Sequence, residues 1–327
     1  MGEENGKILF IFPGQGAQYR GMGGDVFTRY PRARAVYEQA CDILGFDLKT
    51  LSFEDPDNQL TLTRNTQPAL LTHHIACLEA WRDLTGEAVT PDLCAGHSLG
   101  EYSALVAAGA LDFADALRLV RRRGELMGTH GEGEMTAFTL DLDTLRPIAD
   151  KHFCGIAGCN LPDQTVVGGR PEDLDAMADE VLAQFPRKRA VRLKTEGAFH
   201  TYYMVTAAQS FRVELDAVEM NAPMIQVLSN YTGAYHDPDP GVIKARLFFQ
   251  LFHPVQWLQN MQTAVENGTR TVIEFGGGIG TGEAPADKRA NLEGIIKKAF
   301  RRAEHPPQYH AVINTQTLEA CAKVFGG

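Results

Sequence analysis

The chain has 327 residues, of which 44% are hydrophobic and 22% are charged, so it can form one large domain or two smaller ones with a sizeable core. Its formal net charge of -10 argues against general binding to nucleic acid, which requires a basic surface. No apolar run approaches the roughly 20 residues that a membrane helix needs, and the first residues lack the pattern of a signal peptide.

Six cysteines are spread along the chain. Only Cys154 and Cys159 are close together, and this single pair has no matching second pair that would indicate a zinc site. Cysteines within apolar segments are typical of small core residues. We therefore expect reduced thiols, a cytoplasmic protein and no bound metal.

The first part of the chain alternates between short apolar segments and longer segments with helical spacing. The apolar runs predict buried strands over 8–12 and 91–96. The helical spacing predicts helices over 31–44, 65–84, 99–108 and 113–127. Alternation of this kind predicts an α/β fold with a mostly parallel sheet covered by helices.

The middle of the chain has a different order of elements. The predicted strands are 134–140, 154–160, 164–169 and 189–194, and the predicted helices are 143–152 and 172–185. The order strand, helix, strand, strand, helix, strand is that of a small ferredoxin-like subdomain. We place this subdomain at residues 131–201.

After this segment the alternation of the first part resumes. The predicted helices are 203–220, 243–252, 255–266, 291–302 and 315–324, and the predicted strands are 225–229, 271–275 and 309–313. We therefore expect residues 1–130 and 202–327 to form one large subdomain, with residues 131–201 inserted into it.

Residues 96–100 place Ser98 between two glycines at a predicted junction of strand and helix. In a G-x-S-x-G motif the glycines permit a tight turn that lifts the serine above the sheet at a helix N-terminus. The backbone N–H of Leu99 can face a developing oxyanion there. The pattern predicts a nucleophilic serine in an α/β-hydrolase-like subdomain, and the alternative is a glycine-bounded turn with an incidental serine.

A serine nucleophile needs a base, and the chain has ten histidines. His97 adjoins Ser98, but neighbouring side chains in a sharp turn point in different directions. His200 follows the last predicted strand of the inserted subdomain, at a junction that would form the wall of a cleft. His200 is therefore the candidate base, and the alternative is a buried core histidine.

Seven motifs occur in order along the chain. They are FPGQGAQ (12–18), NTQPALL (65–71), GHSLGEYSAL (96–105), LVRRRGELM (119–127), CNLPDQTVVGG (159–169), GAFH (197–200) and HPVQW (253–257). Through these motifs the chain resembles the malonyl-CoA:acyl-carrier-protein transacylases and the discrete acyltransferases of polyketide synthases, from about residue 8 to residue 276.

The resemblance implies a catalytic role for five residues. Ser98 would carry the acyl group, and His200 would be its base. The backbone carbonyl of Gln256, in PVQW, would orient the imidazole. The backbone N–H groups of Gln15 and Leu99 would form the oxyanion hole.

The resemblance also implies four residues at the acyl group. Arg123 would hold the free carboxylate of a malonyl group through the two parallel hydrogen bonds that a guanidinium offers, and the alternative is a solvated helix end. Phe199 would favour malonyl, because its ring would crowd an α-methyl group. Asn160 and His97 would lie near the substrate, or would only shape a turn and pack beside the site.

The implied reaction is a ping-pong transfer. Malonyl-CoA would acylate Ser98, and the phosphopantetheine thiol of an acyl carrier protein would then take the malonyl group, with no metal or redox cofactor. Carrier proteins are usually acidic and so is this chain, so docking would need a local basic patch. The candidate patches are Arg187, Lys188 and Arg189, and Lys297, Lys298, Arg301 and Arg302.

Other interpretations of the same residues stay open. The chain could hydrolyse acyl thioesters, move a non-malonyl acyl group, or be an inactive scaffold that only binds carrier proteins. Arg123 argues against the hydrolase, and the intact Ser98, His200 and Gln256 argue against the scaffold. The stretch GGGIGTGEAPADKR (276–289) stands where the family often has GPG, and it leaves acyl specificity and docking open.

Overall fold

The computed structural model describes residues 6–86, 89–301 and 303–326, and this part of the chain contains nine β-strands and thirteen α-helices. The strands are β1 Lys7–Phe12, β2 Leu93–Gly96, β3 Glu134–Phe138, β4 Gly155–Leu161, β5 Gln164–Gly169, β6 Ala190–Leu193, β7 Gln226–Leu228, β8 Thr269–Phe275 and β9 Gln308–Val312. The helices are α1 Gly24–Arg29, α2 Pro31–Leu44, α3 Leu48–Phe53, α4 Thr63–Thr85, α5 Gly100–Ala107, α6 Phe113–Thr129, α7 Leu142–Lys151, α8 Pro171–Gln184, α9 Val205–Ala217, α10 Pro240–Gln250, α11 Trp257–Glu266, α12 Glu293–Ala299 and α13 Thr315–Phe325.

A five-stranded sheet with the order β7-β2-β1-β8-β9 forms the centre of the large subdomain. Every neighbouring pair in it is parallel, which confirms the predicted α/β class. The central strand β1 is buried from Leu9 to Phe12, as expected for a strand covered on both faces. The carboxyl ends of β1 and β2 lie side by side, with Phe12 opposite Gly96. In an open parallel sheet this edge is where ligands bind.

The second sheet is antiparallel, with the order β4-β5-β3-β6. Helices α7 and α8 pack on it around a separate core that contains Phe138, Leu145, Val167 and Leu174. The order of its elements and strands is that of the expected ferredoxin-like subdomain. Its boundaries at residues 131 and 201 remain a prediction.

Backbone hydrogen bonds join the small subdomain to the large one near the predicted site. Val255 N–H donates to the carbonyl of Ala157 at 3.0 Å, and Cys159 N–H donates to the carbonyl of Val255 at 2.9 Å. This pairing explains why α11 begins at Trp257 and not at residue 255, because Val255 is extended alongside β4.

The remaining differences from the predicted elements are local. The helices α1 and α3 were not predicted, because six residues are too few to show a helical period. Helix α12 ends at Ala299, and the predicted end at residue 302 lies outside the described residues. All six cysteines are free thiols. Among the helices in the described ranges, none combines the length and the apolar character needed to cross a membrane.

An aromatic cluster holds the carboxyl end of β8 in place. The ring centroid of Phe275 lies 4.8 Å from that of Phe10, 5.6 Å from that of Trp81 and 5.8 Å from that of Phe12. All four side chains are fully buried. Aromatic pairs at these distances add to the free energy gained by burial.

We predict that Phe275→Ala lowers the free energy of unfolding by about 3–5 kcal/mol, the usual cost of truncating a buried phenylalanine. The measurement is urea-induced unfolding followed by tryptophan fluorescence. Phe153→Ala is the matched control, because Phe153 is 77% exposed and should change stability by less than about 1 kcal/mol. Equal losses in the two variants would show that the cluster does not stabilise the sheet.

Candidate active site

Ser98 lies on a sharp turn between the end of β2 and the start of α5. Its backbone has a φ of 53°, in the left-handed region that non-glycine residues rarely adopt. A Cβ on Gly96 would lie 1.9 Å from backbone atoms of Gly100, and a Cβ on Gly100 would lie 2.1 Å from the carbonyl oxygen of Phe12. Both glycines are therefore required by close backbone packing, as the G-x-S-x-G pattern indicates.

His200 contacts Ser98 across the junction of the two subdomains. The Ser98 Oγ and the His200 Nε2 are 2.7 Å apart, and the His200 Nδ1 is 2.7 Å from the backbone carbonyl oxygen of Gln250. Because a carbonyl oxygen can only accept, Nδ1 carries the hydrogen and Nε2 is free to accept the proton of Ser98. The backbone N–H of His200 also donates, to the carbonyl of Leu251 at 3.1 Å.

The orienting carbonyl belongs to Gln250 and not to Gln256, so the prediction for Gln256 is wrong. Gln250 is the last residue of α10, where carbonyl groups have no partner within the helix and can accept from outside it. Gln256 instead precedes α11, and its carbonyl accepts from the backbone N–H of Asn260 at 2.9 Å. The sequence could not distinguish these two glutamines, because both lie close to the recognised motif.

The surroundings of His200 keep its imidazole neutral. Burial lowers the pKa, and the nearby positive charge of Arg123 lowers it further, to about 3, against the opposing effect of the bond to the Gln250 carbonyl. The imidazole is therefore unprotonated at neutral pH. A neutral imidazole hydrogen-bonded to a serine hydroxyl is the arrangement required of a general base.

The guanidinium of Arg123 reaches the nucleophile from α6. Its side chain is buried, with 1% exposure, and one terminal nitrogen donates to the Ser98 Oγ at 3.1 Å and to the Gln250 Oε1 at 3.0 Å. The other donates to the Gln67 Oε1 at 2.9 Å. The neighbouring arginines Arg121 and Arg122 lie nearer the surface and pair with acidic side chains.

Among the described residues, no acidic side chain is in direct contact with the guanidinium of Arg123. Its contacts are with neutral amide, hydroxyl and aromatic groups, and no carboxylate of the described residues forms an ion pair with it. Its Nε is buried and has no acceptor within the described part of the chain. A buried cation with unused donors beside a nucleophile is suited to bind a carboxylate from a substrate.

Asn230, which follows β7, holds the turn around Ser98 and was not predicted. Its Oδ1 accepts from the backbone N–H of Ser98 at 2.6 Å, and its Nδ2 donates to the carbonyl of Gly96 at 2.7 Å. One amide side chain thus spans the turn. No sequence motif predicts such a residue, because its role depends on the distance between β7 and β2 in the folded sheet.

The two N–H groups expected to form an oxyanion hole have no acceptor. Within the ranges that the structure describes, neither Gln15 N–H nor Leu99 N–H forms a hydrogen bond. Leu99 directly precedes α5, where the helix dipole favours negative charge. The Gln15 side chain is anchored to the Thr63 Oγ1 at 3.2 Å.

The other predicted site residues lie around this centre. His97 Nε2 donates to the Asn160 Oδ1 at 2.9 Å, so these two residues contact each other across the subdomain junction. The ring of Trp257 packs against His97, with 5.5 Å between centroids, and burial lowers the pKa of this histidine. Phe199 is buried in the main core beside His200.

Throughout the described ranges, no group of three or more histidine, cysteine, aspartate or glutamate side chains is placed to hold a metal ion. The described side chains around Ser98 combine a serine hydroxyl, a neutral imidazole and a buried guanidinium.

Comparisons with known proteins agree with this chemistry. The chain is 38% identical over 322 residues to a malonyl CoA-acyl carrier protein transacylase of Bacillus subtilis, covering 96% of this chain and 95% of the relative. It is also 39% identical over 274 residues to the polyketide biosynthesis protein ThaF of Burkholderia thailandensis, covering 82% of this chain and 23% of that longer protein.

Solved structures give the same result. The malonyl CoA-acyl carrier protein transacylase of Coxiella burnetii superposes with a TM-score of 0.87 at 29% identity, covering 98% of each chain. A second match is to a chain in the solved complex of a type II PKS acyl-carrier protein with its malonyl-transacylase (PlMCAT:AntF). The TM-score is 0.84 at 31% identity, and the match covers 97% of this chain and 99% of the matched chain. The model of the acyl transferase domain family matches residues 9–276, and this chain therefore belongs to that family.

Proposed function

We propose that the chain transfers a malonyl group from malonyl-CoA to the phosphopantetheine thiol of an acyl carrier protein, through an ester on Ser98. The observation that carries the proposal is the buried guanidinium of Arg123, which has no carboxylate in direct contact among the described residues and lies 3.1 Å from the nucleophile. A malonyl thioester presents a free carboxylate two bonds from its reacting carbonyl. The names of the relatives support the same substrate and acceptor.

In the proposed first half-reaction, His200 Nε2 takes the hydroxyl proton of Ser98 as Oγ attacks the thioester carbonyl. The N–H groups of Gln15 and Leu99 donate hydrogen bonds to the carbonyl oxygen as negative charge develops on it. Collapse of this intermediate breaks the carbon–sulfur bond, and the imidazolium returns the proton to the leaving thiol of coenzyme A. Gln250 holds the imidazole in one tautomer throughout.

In the second half-reaction the thiol of the carrier protein attacks the ester. His200 takes the thiol proton, the same two N–H groups bind the oxyanion, and the proton passes to Oγ as Ser98 is regenerated. Each step is a proton transfer or an acyl transfer between groups of the chain and its two substrates. The proposal therefore uses no resident metal and no redox cofactor.

The proposal also covers the choice of acyl group, the surface that contacts the carrier protein, and the cellular compartment. Phe199 crowds the position of an α-methyl group, which would favour malonyl. The basic patch Arg187, Lys188 and Arg189 and the exposed residues Lys297, Lys298 and Arg301 remain candidate carrier contacts, whereas Arg302 lies outside the described residues. The six free thiols support a reducing compartment such as the cytoplasm.

We expect that Ser98→Ala abolishes formation of the acyl-enzyme and leaves the fold intact, because the substitution removes one oxygen. Intact mass spectrometry after incubation with malonyl-CoA should show an increase of about 86 Da, the approximate mass of an esterified malonyl group, for the native chain only. Ser103→Ala is the control, since Ser103 lies on the helix α5 that follows the turn and its Oγ bonds to His74 Nδ1 at 2.9 Å. A mass increase in Ser98→Ala would refute the assignment of the nucleophile.

We expect that Arg123→Ala lowers kcat/KM for malonyl-CoA by roughly 30- to 4,000-fold, the equivalent of about 2–5 kcal/mol for a buried charge left without its partner. Acetyl-CoA has no carboxylate, so its lower native activity should be kept or raised. Both rates are measured by transfer of radiolabelled acyl groups to a carrier protein.

Arg122→Ala is the matched control for this experiment, because Arg122 pairs with Glu214 at the surface and should leave both rates within about twofold. The comparison between two substrates corrects for any loss of folded protein. Equal losses for malonyl-CoA and acetyl-CoA in Arg123→Ala would make the arginine structural and would contradict the choice of malonyl.

The lowered pKa of His200 predicts an unusual pH profile. A base with a pKa of about 3 in the free enzyme stays neutral as the pH falls from 7.5 to 5, so kcat/KM for acylation should fall less than about twofold over this interval. A histidine with the ordinary pKa of about 6.5 would instead lose roughly 30-fold. The profile is measured by rapid quench of radiolabelled malonyl-enzyme, and an acid limb near pH 6.5 would contradict the low pKa.

A further inference from the structure

A buried carboxylate lies beneath the nucleophile turn and is not used in the proposed mechanism. Glu101 stands in the first turn of α5, three residues after Ser98, and has 0% exposure. Its Oε2 accepts from the Gln250 Nε2 at 2.8 Å and from the backbone N–H of Asn230 at 3.1 Å. A carboxylate in the interior is costly unless all its contacts are made, so its placement has a specific consequence for the groups that it holds.

A histidine completes the surroundings of this carboxylate. His236 Nε2 lies 2.7 Å from the Glu101 Oε1, and both side chains are fully buried. Since a carboxylate oxygen accepts, Nε2 is the donor in this bond. His236 is itself tied to β7, because its backbone N–H donates to the carbonyl of Val227 at 2.8 Å. The carboxylate is thus fixed from both sides, with α10 contacting one oxygen and the segment after β7 contacting both.

The amide orientation of Gln250 follows from these contacts. Its Nε2 faces two acceptors, the Glu101 Oε2 and the backbone carbonyl of Ser98, at 2.8 and 2.9 Å. Only the NH₂ group can satisfy them, so the Oε1 must point the other way. There it accepts from Arg123 at 3.0 Å. If the amide turned over, its NH₂ group would face the donors of the guanidinium and the contact would be lost.

We propose that Glu101, held by His236, is a positioning residue that sets selectivity for a carboxylated acyl group: by fixing the side-chain amide of Gln250 it keeps Arg123 aimed at Ser98. The inference rests on the proposed malonyl transfer. Gln250 then has two separate roles, one for its backbone carbonyl and one for its side chain. The backbone carbonyl contacts His200 and not Glu101, whereas the side chain contacts both Glu101 and Arg123. Loss of Glu101 should therefore harm malonyl transfer more than acyl transfer in general.

The test compares two acyl groups in Glu101→Gln, a variant of the same shape without the charge. We expect the ratio of kcat/KM for malonyl-CoA to kcat/KM for acetyl-CoA to fall about tenfold, the size of coupling that hydrogen-bonded neighbours show. Acetyl transfer itself should change less than about threefold. An unchanged ratio would overturn the inference, and a loss of folded protein does not alter a ratio measured on the same sample.

A double-mutant cycle shows whether the effect passes through Arg123. In the Arg123→Ala background, adding Glu101→Gln should change the malonyl-to-acetyl ratio by less than about twofold. A further tenfold fall there would mean that Glu101 acts by another route and would overturn the inference. If Arg123→Ala affects the ratio and Glu101→Gln does not, only this inference fails. If Arg123→Ala leaves the ratio unchanged, the carboxylate role of Arg123 in the proposed function fails and this inference fails with it.

His236 provides a second, independent pair of variants. His236→Gln keeps an N–H donor that can reach the Glu101 carboxylate, so it should preserve the malonyl-to-acetyl ratio within about twofold. His236→Leu removes the donor and should lower the ratio about fivefold. Thermal unfolding of each variant reports its stability separately. Equal ratios in the two variants would overturn the role of His236 in holding the carboxylate.

Discussion

The carboxyl end of helix α10 is the point on which the geometry of the site depends. Gln250, its last residue, contacts the base through its backbone carbonyl and the arginine and the nucleophile turn through its side chain. A helix end is suited to this position, since its terminal carbonyl groups have no partners inside the helix and point outward together. His200 and Arg123 come from segments far apart in the chain, and their contacts to one residue fix their positions relative to each other.

The parallel sheet explains why these segments meet. The turn carrying Ser98 follows β2, Asn230 follows β7, and the carboxyl ends of these neighbouring strands lie at one edge of the sheet. The small subdomain is tied to the same edge by the backbone pairing of β4 with Val255. His200 enters at the point where the chain returns from that subdomain. The inserted sheet therefore supplies a wall for the site and places the base.

The sequence predicted the features that local pattern determines. The two glycines around Ser98 are required by contacts within a few residues and with the adjacent strand, and the G-x-S-x-G motif predicts this requirement. The order of elements in both subdomains follows from hydrophobic periodicity in the same way. The short helices α1 and α3 were not predicted, because a segment of less than two turns shows no helical period.

The contacts that the sequence did not predict are long-range and involve polar residues with several possible partners. The sequence around Gln250 and Gln256 does not distinguish their roles, and only the fold decides which carbonyl faces His200. Glu101, in the buried helix α5, and Asn230, in a loop, likewise show no sequence signature until the sheet brings them together. Such a role depends on a contact of about 3 Å between two residues that are more than a hundred positions apart in sequence. The sequence around either residue alone does not show it.

The neutral carbonyl behind His200 has a consequence for substrate charge. A carboxylate at that position would favour the imidazolium, raise the pKa of the base, and lie close enough to Arg123 to compete with an acidic substrate for the guanidinium. The carbonyl of Gln250 orients the imidazole without adding charge, so among the described residues the guanidinium of Arg123 is the only net charge that contacts the Ser98 hydroxyl. The negative charge of Glu101 is held one side chain further away, behind the amide of Gln250. There it can offset the buried arginine electrostatically without occupying the donors that an incoming carboxylate would use.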